Sequence, residues 1–269
     1  MIHARILPAA AIAGLLALSA CDRDKAEAPA RPAEPGQPPP STGGPAAPLA
    51  FAEATPYAKV SLSLPAGVAS QPELHVPLYA EEMRKLRQFQ EGAQSDRTEA
   101  GSEEQAPAYE KTIQFKPAAE TGKLLSLVRE DFDYSGGVHP NTVTTGLMWD
   151  KAIKRRIGVG ELFRPGADLR SLDQALCSAL NVQKAARDPK ARLVTLDGSD
   201  FRCPRAADTP FVLAPSTVGG KAGGLIFLVG PYQIGPYVEG AYEATLPQAL
   251  FRGLLNPAYA DEFAGEPRS

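Results

Sequence analysis

The 269-residue chain is poor in the residues that usually carry chemistry: three cysteines, three histidines, three methionines and one tryptophan. Only His75 and His139 lie beyond the amino-terminal apolar run, too few for a His-rich metal site, and their spacing gives no His-Glu-x-x-His pair. A Cys-x-x-Cys pair and a Gly-x-Ser-x-Gly elbow are also missing. The glycines around Lys221 lack the spacing and the following hydroxyl of a phosphate loop. No metal and no cofactor are therefore expected. No apolar run is long enough to cross a bilayer as a helix. Basic clusters are absent and the net charge is −3, which argues against a nucleic-acid partner.

What is present begins at the amino end. His3 and Arg5 form a short positive region, followed by an apolar run from Ile6 through Ala20. That is signal-peptide length. The run closes on Leu18-Ser19-Ala20-Cys21, a pattern similar to a bacterial lipobox. Small residues fit a peptidase groove, and the Cys21 thiol is the nucleophile that takes up a diacylglyceryl group. Residues 1–20 are thus expected to be a lipoprotein signal peptide. Cys21 would then be the acylated first residue, holding the chain on a membrane by palmitate-like chains at about 0.8 kcal/mol per buried methylene. The plainer reading is an ordinary secretory signal with a cysteine near its end. The expected location is the bacterial cell envelope, on the periplasmic face of the inner or outer membrane. If Cys21 is acylated, Cys177 and Cys203 remain, and an oxidising compartment favours one disulfide between them over two free buried thiols.

Residues 21–55 are dense in proline and alanine and read as a tether with little capacity to bury a core. Residues 56–256 read as one globular domain, and residues 257–269 as a C-terminal tail. Ala58 to Leu64 alternates polar and apolar residues as a half-buried strand should. Leu78, Met83, Leu86 and Phe89 recur at helical spacing, and the polar stretch Glu91 to Pro107 reads as a loop. Strands are expected near 109–115, 124–134, 142–149 and 156–163. Asp168 is expected to cap a helix carrying Leu169, Leu172, Leu176, Cys177 and Leu180. Phe211 to Ala214 and Gly224 to Val229 frame a glycine-rich hairpin turn, and a last short helix is expected over 248–255. Strands in runs with helices between them predict an α+β domain with a largely antiparallel sheet and a few packed helices.

Two segments stand out. In the first, Asp131 and Asp133 share a strand face, Gly136-Gly137 permit a sharp turn, and His139 and Asn141 follow. His139 is either a general base or ligand-gripping imidazole held by Asp131 or Asp133, or a turn histidine bonded to backbone. The second, Gly230 to Gly240, sets Tyr232 and Tyr237 among prolines and glycines. This is either a stacking surface for sugar rings or a peptide, or ordinary core packing at irregular strand ends.

Several motifs, in order, carry a resemblance: Tyr134-Ser135-Gly136-Gly137-Val138-His139-Pro140-Asn141, Trp149-Asp150, Gly160-Glu161-Leu162-Phe163, the Pro231 to Gly240 run, and Leu246-Pro247. Together they resemble a bacterial extracytoplasmic domain of unknown function. That domain forms the lysozyme-receptor part of RsiV-type anti-sigma factors and accompanies the catalytic domain of PdaC-type peptidoglycan deacetylases. The turn Lys151 to Arg156 and the long loop that carries Cys203 depart from its usual pattern. The resemblance implies a module that binds peptidoglycan-related glycan or a lysozyme-like muramidase; taken with the tether and the missing catalytic motifs, the preferred reading is non-enzymatic, with His139, Asn141, Tyr232 and Tyr237 as the binding residues. The alternative is a hydrolase-like enzyme of envelope polysaccharide, with His139 as base and Asp131 or Asp133 orienting it.

Overall fold

The structure is a computed structural model that describes residues 46–101 and 107–268. Cys21, the signal peptide and most of the expected tether lie outside the described residues. Six strands form one sheet in the order β1 (Ala50–Ala54), β2 (Ala58–Ser63), β3 (Tyr109–Glu120), β4 (Leu124–Tyr134), β5 (Asn141–Asp150) and β6 (Arg155–Ile157). All its pairings are antiparallel except β2 with β3, which run parallel. A parallel pair needs a long crossover. Here helix α1 (Pro72–Ala100) supplies it and packs back on β2 and β3. A three-stranded antiparallel sheet follows, β7 (Phe211–Pro215), β8 (Ala222–Val229) and β9 (Tyr242–Pro247). Between the sheets in sequence lie a single helical turn, α2 (Val159–Leu162), and the longer α3 (Arg170–Arg187). The α+β class with a largely antiparallel sheet is as expected.

The period-2 pattern of β4 and β5 divides the core in two. Leu125, Leu127, Leu147 and Trp149 face α1, joining Leu74, Leu78 and Leu86. Leu124 and Met148 belong instead to the cluster built by α3, the small sheet and the carboxyl-terminal segment. Strand β7 lies against β3, β4 and β5. There the Leu213 amide donates to the buried Ser126 hydroxyl at 3.0 Å. A Cβ on Gly146 would stand 1.9 Å from the Phe211 carbonyl oxygen, so only glycine permits this approach.

Six expectations are corrected. The tether does not extend to 55: residues 50–54 are β1, fully paired with β2, and Phe51 packs on the α1 core. The loop expected from Glu91 is helix as far as Ala100. Ala93 and Arg97 are buried, and Gly101 closes the helix at φ 60°. The polar helix formers between them masked the pattern. The strand expected over 156–163 stops at Ile157, because Gly158 turns the chain into α2, with the Glu161 carboxylate accepting from the Gly158 amide at 3.0 Å. Asp168 lies one residue before the N-cap, Leu169. Residues 257–268 are not a tail: α4 (Pro257–Ala260) buries Tyr259, and Phe263 is fully buried. The expected helix over 248–255 is two 3-10 turns, Gln248–Leu250 and Arg252–Leu254.

Candidate functional site

The β4–β5 hairpin projects a tip, residues 135–140, that is exposed throughout. Gly136 makes the turn at φ 79°, with the Tyr109 ring 3.1 Å from where a Cβ would stand. A side chain there would meet both a backbone and a steric penalty. The tip carries Val138 and His139 into solvent.

The loop from Gly230 to Ala241, between β8 and β9, comes to the same place from the other end of the fold. The Tyr237 hydroxyl donates to the Pro140 carbonyl at 3.0 Å, across 97 residues of sequence. Nδ1 of His139 also lies 3.0 Å from that carbonyl, a contact that puts the ring proton on Nδ1. The His139 and Tyr237 rings stack, with centroids 4.2 Å apart and planes 21° from parallel. Tyr232 continues the cluster, its centroid 5.3 Å from that of Tyr237. Tyr232 is 59 % exposed and stands at φ 66°, a left-handed conformation that costs a bulky L residue about 1 kcal/mol or more. Val238, next after Tyr237 in the chain, is 89 % exposed. The outcome is a solvent-facing row of three rings with two valines around it, next to three prolines that stiffen the backbone.

Helix α3 holds this loop. Lys184 is 1 % exposed; its ammonium donates to the Ile234 carbonyl at 2.8 Å and to Oε2 of Glu239. The Tyr242 hydroxyl donates to the same oxygen at 2.7 Å. Arg187 donates to the carbonyls of Glu239 and Ala241, and its guanidinium sits 3.8 Å from the centroid of the Tyr242 ring. Burial by itself would raise the Glu239 pKa. The hydrogen bonds from Lys184 and Tyr242 and the charges of Lys184 and Arg187 outweigh it, so the carboxyl is held below its ordinary value. Tyr242 is displaced upward, by burial first and then by Glu239. A Cβ on Gly235 would stand 2.4 Å from the Glu239 carboxylate, so glycine is what admits that carboxylate under the loop.

The carboxylates expected to serve His139 are engaged elsewhere. Lys111 contacts Asp131 at 2.7 Å and Asp133 at 3.1 Å. Arg129 takes the other oxygen of Asp131 at 2.9 Å, and the Ser135 hydroxyl takes the other oxygen of Asp133 at 2.7 Å. Asp131 and Asp133 do share a face, but that face is neutralised by Lys111 and Arg129, and His139 turns to backbone. Asn141 opens β5 opposite Asp133 in register and is exposed. His139, Tyr232 and Tyr237 thus meet at one surface, while the acid–histidine pair of a hydrolase is not assembled. Cys177 and Cys203 form a disulfide that pins the 188–210 segment to α3, their Cα atoms 5.2 Å apart. Among the described residues, no group of three or more His, Cys, Asp or Glu side chains is placed to hold a metal ion.

Fold and surface together define an α+β domain that displays an aromatic cluster where the β4–β5 tip meets the β8–β9 loop. Residues 160–249 match the model of a family described as a protein of unknown function, DUF3298. Two solved structures are similar to the chain. One is a member of the DUF3298 family from Bacteroides fragilis, at 17 % identity and TM-score 0.50, with 76 % of this chain and 87 % of that one covered. The other is a DUF3298 family protein from Pseudomonas aeruginosa PAO1, at 17 % identity and TM-score 0.53, with 84 % and 92 % covered. At that identity they show a shared fold. No curated protein matches the chain.

Proposed function

We propose that the chain is a non-enzymatic lipoprotein of the bacterial envelope, held on the periplasmic face of the inner or outer membrane by acyl chains on Cys21, whose His139–Tyr237–Tyr232 row binds the sugar strand of peptidoglycan. The observation that carries this reading is the exposed stack itself, kept in place although Tyr232 pays a backbone penalty to join it. Strain of this kind concentrates at binding and switching sites. Flat rings with polar rims suit sugar faces, which are apolar above and below and hydroxylated at the edge. The motif resemblance to RsiV- and PdaC-type domains points to the same compartment and the same polymer.

The exposed Val138 and Val238 favour a second occupant, a lysozyme-like protein that covers the cluster with an apolar surface of its own. Sedimentation with purified wall sacculi and capture on immobilised lysozyme separate the two. Retention on sacculi is expected, reversed by soluble oligosaccharides of N-acetylglucosamine. Tyr232→Ala should weaken it by about three- to tenfold, the worth of one aromatic stacking contact. Retention on lysozyme alone moves the proposal to the second occupant, and retention on neither overturns it.

A further inference from the structure

The 230–241 loop also walls a cleft of about 370 Å³, closed by the end of α3 and the segment that the disulfide pins. Glu239 lies in its wall. Oε2 of that carboxylate takes both Lys184 and Tyr242, which leaves Oε1 without a donor among the described residues. The carboxyl terminus of α3 opens on the same cleft at Asp188, adding the negative end of an 18-residue helix. Both features put negative potential at this end of the cleft, partly balanced by Lys184 and Arg187. At the rim the signs reverse. Lys190 is exposed and has no ion-pair partner among the described residues, whereas Arg192 is held by Asp200 at 2.8 Å. Phe201 supplies exposed apolar wall to the same cleft. The volume falls in the range of small-ligand pockets, about 300–1,000 Å³.

We infer that this cleft is a second binding site, one that takes a short zwitterionic peptide with its ammonium on Glu239 and its carboxylate on Lys190. Charged hydrogen bonds fix the two ends, and a small side chain lies against Phe201. The site does not depend on what the aromatic row binds, although the same loop builds both. Dialanine is a suitable probe, titrated into the ¹⁵N-labelled domain and followed by amide shifts. Saturable shifts confined to 188–194 and 234–239 are expected. Acetylation of the amine or amidation of the carboxylate should each weaken binding about tenfold, the loss of one charge-assisted bond. Lys190→Ala should match the amidated peptide, and Lys190→Arg should restore binding. Glu239→Gln should match the acetylated one. Where that variant fails to fold, N-acetyl-dialanine on the unaltered protein makes the same test. Tyr232→Ala should leave dialanine binding unchanged, so loss of sugar binding and loss of peptide binding report separately. No saturable shift up to millimolar peptide, equal binding of the capped forms, or shifts centred on Tyr232 and Tyr237 would overturn the inference.

Discussion

Tyr232 occupies backbone space that glycine enters freely and tyrosine does not. More than half of its side chain is in water, so little buried contact offsets the cost. Tyr232→Gly should therefore raise stability by about 1 kcal/mol, seen as a rise of a few degrees in the thermal midpoint, while retention on sacculi falls. A variant less stable than the parent would mean that ring stacking outweighs the backbone term and that Tyr232 is a packing residue. The ring types, the prolines and the glycines of this loop were legible in the sequence. Its meeting with His139 was not, because that contact crosses 97 residues and rests on a backbone carbonyl that no side-chain pattern announces. Asp131 and Asp133 were correctly placed on one face by strand period. Their neutralisation was missed because Lys111 comes from β3, and pairing between strands fixes which charges meet.

At the scale of elements, α3 does three jobs. Leu172, Leu176 and Leu180 enter the core, Lys184 and Arg187 hold the aromatic loop, and Cys177 ties down the 188–210 segment. That segment has little regular structure and is held by side chains of α3, with Asp173 accepting from the Ala206 amide at 2.8 Å and from Arg205 at 3.0 Å. Asn181 reads both backbone groups of Val194, at 2.8 and 2.9 Å, and a single bridge joins Thr195 to Arg202. The disulfide closes 26 residues, for which chain entropy gives a stabilisation of about 3 kcal/mol. Cys177→Ala with Cys203→Ala should lower the urea-unfolding free energy by about that amount. Hydrogen exchange should rise first in 188–210, and dialanine binding should weaken, since that segment walls the cleft. Unchanged stability would show that the contacts of Asn181 and Asp173 with the segment suffice. The helical period of α3 and the pairing of its cysteine were legible; the length of α1 was not. Its second half turns Glu91, Gln94 and Asp96 to water around a single buried alanine, which is too thin an apolar stripe to register as a helix face.

At the scale of the whole molecule, the carboxyl-terminal segment joins the two sheets. Glu262 accepts from the Thr121 hydroxyl at 2.6 Å and the Lys123 amide at 2.8 Å, both at the β3–β4 turn, while its own carbonyl accepts from Ala222 at the start of β8. The Tyr259 hydroxyl donates to the buried Asp150 at 2.8 Å, at the end of β5. Polar, proline-bearing residues around single anchors such as Tyr259 and Phe263 show no periodicity, which is why the segment read as a tail. Its contribution is measurable through Tyr259, whose pKa burial and then Asp150 push up from the ordinary 10 to about 12. A raised folded-state pKa means that the folded chain holds this proton more tightly than the unfolded one. The stabilisation is therefore complete below pH 10 and is lost as pH climbs through 12. Tyr259→Phe removes the group that titrates and leaves Asp150 with the amides of Ala152 and Ile153. At neutral pH the variant should be less stable by about 1.5–3 kcal/mol, the worth of a hydrogen bond to a charged group. That gap should stay constant up to pH 10 and close between pH 10 and 12 in parallel denaturant titrations of the two proteins. A gap that stays open across that interval would show the phenol titrating at its ordinary value, with no proton linkage through Asp150.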